Sequence, residues 1–154
     1  MSLDELLRLA KDFLLPIGAF FAGLFLPHVQ KPLAEYRKTL GDISQLMLRN
    51  VPILYGDSPK VEISDEAKKH NAELRKFYDD ARTLHARLVS SADSIPQFAR
   101  PLLQAVGLLH SRAKIEQGAR MLVGISNQVM TTDKDKPHLT ELIKRLGAAL
   151  NITV

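Results

Sequence analysis

At 154 residues the chain is long enough for one compact domain plus an anchor, and its 45% hydrophobic and 25% charged content excludes both wholesale disorder and a multi-span membrane protein. It contains no cysteine, which removes any disulfide framework, thiolate metal site or thiol nucleophile and fits a reducing compartment. A formal charge of +4 suits solubility or an anionic membrane surface, and without a Lys/Arg cluster or any Trp, nucleic-acid binding is not expected.

Residues 1–12 read as a short amphipathic segment of mixed charge. Residues 13–30, Phe13 to Gln30, are then uncharged, with the apolar core FLLPIGAFFAGLFL. A run of about 18 residues just reaches the length of a spanning helix, because about 20 residues rising roughly 1.5 Å each cross a hydrocarbon core of about 30 Å. A cleaved signal peptide would need a basic start and a small-residue cleavage site, and neither is present. A helix buried in a soluble core is the stronger rival, since Pro16, Gly18, Gly23 and Pro27 interrupt the run. However, Phe13, Phe20, Phe21 and Phe25 with several leucines surround the whole circumference, and the small remainder of the chain could hardly enclose such a helix. A transmembrane helix over 13–30 is therefore expected. Lys31, Arg37 and Lys38 after the run outweigh Arg8 and Lys11 before it, which places the C-terminal domain in the cytosol. Gly18 with Ala22 and Ala19 with Gly23 are spaced by four and form adjoining strips of small residues, a candidate helix-association face.

From residue 31 to residue 154 the pattern is that of a helical bundle domain. Lys31-Pro32 is expected to open a new helix with Leu33, Tyr36, Leu40, Ile43 and Met47 on one face. Pro52 and the GDSP turn should end it, leaving Val51 to Ile63 as a loop. Ser64-Asp65-Glu66 is a helix start, with Leu74, Phe77, Tyr78, Ala81, Leu84 and Leu88 as the stripe that follows. Ser94-Ile95-Pro96 makes the next break. Helical sequence then runs through Leu102, Leu103, Val106 and Leu109, bending around Gly107, and on through Ile115, Ala119, Leu122 and Val129, where Gly118 and Gly124 permit close packing. A polar linker from Thr131 leads to Asp135-Lys136-Pro137 and a last helix carrying Leu139, Leu142, Ile143, Leu146 and Leu150. The expected fold is all-α, an N-terminal transmembrane helix followed by an antiparallel helical bundle.

Chemistry-bearing patterns are sparse. His28, His70, His85, His110 and His138 have no familiar metal spacing, Asp79 and Asp80 point in different directions on a helix, and Ser90-Ser91 near His85 lacks an ordered base. The glycines form no phosphate loop. No catalytic, metal or cofactor residue is assigned, and no cofactor is expected. Arg112, Glu116 and Arg120, one helical turn apart, form a charged strip that could dock an acidic partner or headgroups, or pair internally in solvent.

The apolar run followed by KPLAEYRKTLGDISQLMLRN, residues 13 to 50, resembles small uncharacterised bacterial membrane proteins with one N-terminal span and a cytosolic helical domain. That resemblance implies placement in a bacterial inner membrane with the all-α part inside the cell, and it implies no activity. The expected function is thus a single-span membrane protein whose partners are the lipid bilayer and either another protein or further copies of the chain in a homo-oligomer. Two alternatives stand beside it: a membrane-anchored enzyme with a site between helices, for which His70, His85 and Asp79 are the first candidates, and a soluble helical interaction domain with its N-terminal helix buried.

Overall fold

The computed structural model describes residues 11, 15–57, 59–60, 64–131 and 135–154, and for residues 15–22, 24 and 25 it describes the backbone. Six helices occur among these residues: α1 Leu15–Arg49, α2 Val51–Tyr55, α3 Asp65–Asp93, α4 Arg100–Ala105, α5 Arg112–Met130 and α6 Lys136–Leu150. The expected segment 1–12 lies outside the described residues apart from Lys11.

Helix starts follow the local capping chemistry. The Ser64 hydroxyl accepts the Ala67 N–H, the Ser111 hydroxyl accepts the Lys114 N–H, and the Asp135 carboxylate accepts the His138 N–H, each satisfying a donor that has no partner within the first helical turn. Helix ends are equally specific. Gly107 adopts a left-handed φ of 72°, which lets the Leu108 N–H reach back to the Leu103 carbonyl and closes α4. Asn151 does the same at φ 49° for α6.

Three expectations are corrected. The helix thought to begin at Lys31-Pro32 is the C-terminal half of α1, which runs unbroken through Pro27 and Pro32. An interior proline costs about 3 kcal/mol, but Val29 and Leu33 beside Pro32 pack on the core and Tyr36, Ile43 and Met47 are buried behind them, so tertiary contact holds the helical path. Val51–Tyr55 is a short helix rather than a loop, started by Pro52 in its first turn and held by buried Leu54. The stretch from Leu102 to Val129 is two helices rather than one bent helix, because Gly107 ends α4 and Ser111 caps α5.

Consecutive long helices pack antiparallel. Helix α1 lies on α3, α3 on α5, and α5 on α6. The pairing runs from Asp42 with Arg87, through Asp93 with Arg112 and Arg82 with Asn127, to Gly118 against Leu150 and Gly124 against Leu142. Between them Tyr36, Ile43, Leu74, Phe77, Leu88, Leu122, Ile125, Leu139 and Leu146 are fully buried, each large apolar side chain contributing about 1.5–3 kcal/mol. The all-α bundle expected from the periodicity is the observed fold.

The N-terminal half of α1 departs from this core. Among the residues of α1 whose side chains are described, Tyr36 is the first fully buried, Val29 and Leu33 are half-buried, and Gly23, Leu26, Pro27 and His28 are exposed. At about 1.5 Å per residue, the backbone from Leu15 to Val29 extends roughly 20 Å. Among the described residues no helix is long and apolar enough to cross a membrane, and Phe13 and Leu14, which open the apolar run, lie outside those residues.

Candidate functional site

The end of the bundle from which α1 departs is built by the connection between α3 and α5. Helix α3 stops at Asp93, and the Arg100 side chain folds back over its C-terminus, donating to the carbonyls of Ile95 and Asp93 at 2.9 Å and of Ala92 at 3.4 Å. The Ala92 carbonyl also accepts the Ile95 N–H at 3.3 Å, and the guanidinium adds donors to the Asp93 and Ile95 carbonyls at the helix end while favouring the negative end of the helix dipole. Ile95, Ala99, Leu103 and Leu109 then point inward, pinning the connection to the core. Phe98, Leu102 and Val106, spaced by four, are exposed.

One long-range polar contact fixes this cap to α1. The Tyr36 hydroxyl and His110 Nδ1 share a hydrogen bond of 2.8 Å, with the rings 6.2 Å apart and tilted by 55°. Burial pushes the Tyr36 phenol up to about 12, outweighing an opposing effect of the His110 backbone, so the hydroxyl keeps its proton. Burial, and then the charge of Lys114, push His110 below the ordinary imidazole value of 6.5, which favours the neutral ring.

The strip of Arg112, Glu116 and Arg120 is internally paired. Arg112 Nε meets Glu116 at 2.9 Å and Arg120 approaches it at 3.9 Å, while Arg112 also reaches Asp93 at 3.5 Å. Such exposed pairs contribute little individually, and their alternating signs leave no concentrated charge for an acidic partner. Of the small-residue strips, Gly18, Ala19 and Ala22 lie on the backbone of α1 with their side chains outside the described residues, whereas Gly23 is exposed with open space around it.

The enzyme candidates are not brought together. His70 and His85 are half-buried on α3, fifteen positions and so roughly 22 Å apart along its axis, and Asp79 is exposed. His70 contacts the Asp57 carbonyl at 3.3 Å. Among the described residues no group of three or more His, Asp or Glu could hold a metal ion. A groove of about 540 Å³ between α1 and α3 is lined by Asp42, Arg49, Glu73, Lys76, Asp80 and Arg87, a mixture of signs that favours no single charge of ligand.

Sequence reading missed three structural features. Arg100 carries no motif, and the Tyr36–His110 pair joins positions too distant to associate by spacing. Asn71 did leave a signal: it is a polar residue on the apolar stripe, three positions before Leu74. Buried there, it clamps the preceding connection by accepting the Lys60 N–H at 3.0 Å and donating to the Lys60 carbonyl at 2.8 Å.

Fold and surface together define an all-α antiparallel bundle with an apolar helix leaving one end and an exposed apolar ridge beside that exit. Compared with known proteins, the chain matches no family model, no curated protein and no solved structure.

Proposed function

We propose that the chain is a single-span membrane protein of a bacterial inner membrane, its helical bundle cytoplasmic and engaged with a protein partner or with further copies of itself. The observation that carries this reading is the course of α1, which leaves the core at Val29 with Leu26 54% exposed and an apolar run still ahead of it towards the N-terminus. A large apolar side chain exposed at that exit, with apolar sequence running on from it, is unfavourable in water. Pro16 and Pro27 within the run are better accommodated in a membrane helix than in a soluble one, and the basic residues after it favour the cytoplasmic side. The likeness of residues 13–50 to small bacterial single-span proteins points the same way.

The role assigned to the bundle is interaction rather than catalysis, since the polar residues favoured as an enzyme site are dispersed over α3. The test is alkaline carbonate extraction of membranes carrying the full chain, followed by detergent extraction and sizing. Retention in the membrane pellet, then a defined homo-oligomer or a stoichiometric protein partner in detergent, is expected. Release of the whole chain into the supernatant would overturn the span.

A second reading is favoured by the lack, among the described residues, of a helix long and apolar enough to span. In it the same run docks on another protein and crosses no bilayer. Carbonate release together with a stoichiometric protein would select it.

A further inference from the structure

We infer that the α3–α5 connection forms a second, peripheral membrane contact, in which Phe98, Leu102 and Val106 dip into the headgroup layer of an anionic bilayer beside the point where α1 enters it. The inference rests on the membrane reading above and adds the surface on which the bundle stands. Phe98 is 62% exposed, Leu102 68% and Val106 57%, a set of large apolar side chains on one ridge. Their spacing by four keeps them together, while Ala99 and Leu103 between them turn into the core, so the connection is an amphipathic element with its apolar ridge uncovered.

Position selects a lipid surface as the occupant. The Tyr36–His110 hydrogen bond fixes the connection to α1 at the level where that helix stops being buried, and Leu108 packs on the same core as Val29 and Leu33. The exposed ridge is therefore at the bundle end from which the apolar half of α1 emerges, and a bilayer entered by α1 would meet it. From Asp93 to Glu116 the chain carries Arg100, Arg112 and Lys114 against Asp93 and Glu116, and Arg112 also pairs with Glu116, so the end has one net positive charge to offer an anionic surface. Arg100 and Arg112 share Asp93, which leaves Lys114 as the cation best placed for headgroups. The opposite bundle end, where α1 ends at Arg49 and α2 follows, also exposes Leu48, Val51 and Tyr55 and serves as the internal reference.

The chain has no cysteine, so single probes can be introduced without a background. Leu102→Cys, Leu24→Cys and Tyr55→Cys are each labelled with a small fluorophore in the full chain and reconstituted in phosphatidylcholine–phosphatidylglycerol vesicles. Quenching is measured with lipids spin-labelled near the headgroup, with lipids spin-labelled deep in the acyl chain, and with aqueous iodide. The expected result is quenching of the Leu102 probe by shallow spin labels, with about twofold slower iodide quenching than at Tyr55. A Leu24 probe quenched by deep labels while Leu102 and Tyr55 respond only to iodide would overturn the contact and leave the span standing. Deep labels failing at Leu24 while shallow ones quench Leu102 would uphold the contact and overturn the span. A Leu102 probe shielded from iodide yet untouched by either lipid would mean that protein covers the ridge, and would overturn the proposal.

Discussion

Tyr36 and His110 are joined by one hydrogen bond between a buried and a half-buried ring, and both hold their neutral forms more strongly than an unfolded chain would. For His110 the folded value lies below 6.5, so between that value and 6.5 the unfolded chain binds more protons, and stability rises with pH across the window. This contribution is complete above 6.5 and is lost as pH falls through the folded value. For Tyr36 the folded value is about 12 against 10.0, so its contribution is complete below pH 10 and is lost as pH rises through 12. Denaturant unfolding across pH should show both slopes, and His110→Gln should flatten the acidic one while leaving the alkaline one in place. Glycine offers a contrast at the same scale. A Cβ added at Gly118 would lie 2.7 Å from the fully buried Leu150 side chain, whereas at Gly41 it would meet nothing within 4 Å. Gly118→Ala should cost about 1–3 kcal/mol through overpacking, and Gly41→Ala should stabilise by up to about 1 kcal/mol through helix propensity. Equal effects in thermal unfolding would refute that distinction.

Helix boundaries were legible where one residue's own chemistry decides them. Ser64 and Asp135 cap where a short polar side chain precedes an apolar period, whereas Gly107, read as a bend, ends α4 in a left-handed turn. They were illegible where packing overrides local preference: Pro32 reads as a helix start, yet Val29 and Leu33 on either side of it keep α1 continuous. The ordering of α4 was hidden for another reason, since its anchor is Arg100 reaching back five to eight residues to carbonyls that no sequence pattern marks. Arg100→Ala should therefore cost about 1–3 kcal/mol by leaving these acceptors without their donor. Hydrogen exchange should rise between Ile95 and Leu109 more than in α5 or α6. Exchange rising uniformly across the bundle would indicate general destabilisation instead and remove Arg100 from this role.

At the scale of the whole molecule, the antiparallel order α1, α3, α5, α6 buries Tyr36, Leu74, Leu122 and Leu146, while Gly23 and the stretch Leu26–His28 of α1 are exposed and open to an environment or a partner. If that environment is a bilayer, the hydrophobic effect no longer drives helices together there, and close backbone approach through small residues takes over. Gly18, Ala19, Ala22 and Gly23 would supply such a face, and a Cβ at Gly23 would meet nothing within 4 Å. Replacing Ala19 and Gly23 together by Leu should weaken self-association in vesicles on the order of tenfold, about 1.4 kcal/mol, read as energy transfer between differently labelled copies diluted in lipid. The bundle itself should keep its thermal unfolding midpoint, because the altered helix half lies outside its core. Unchanged energy transfer would move self-association from the helix to the bundle, whereas loss of folding would show that the apolar half is part of the core after all.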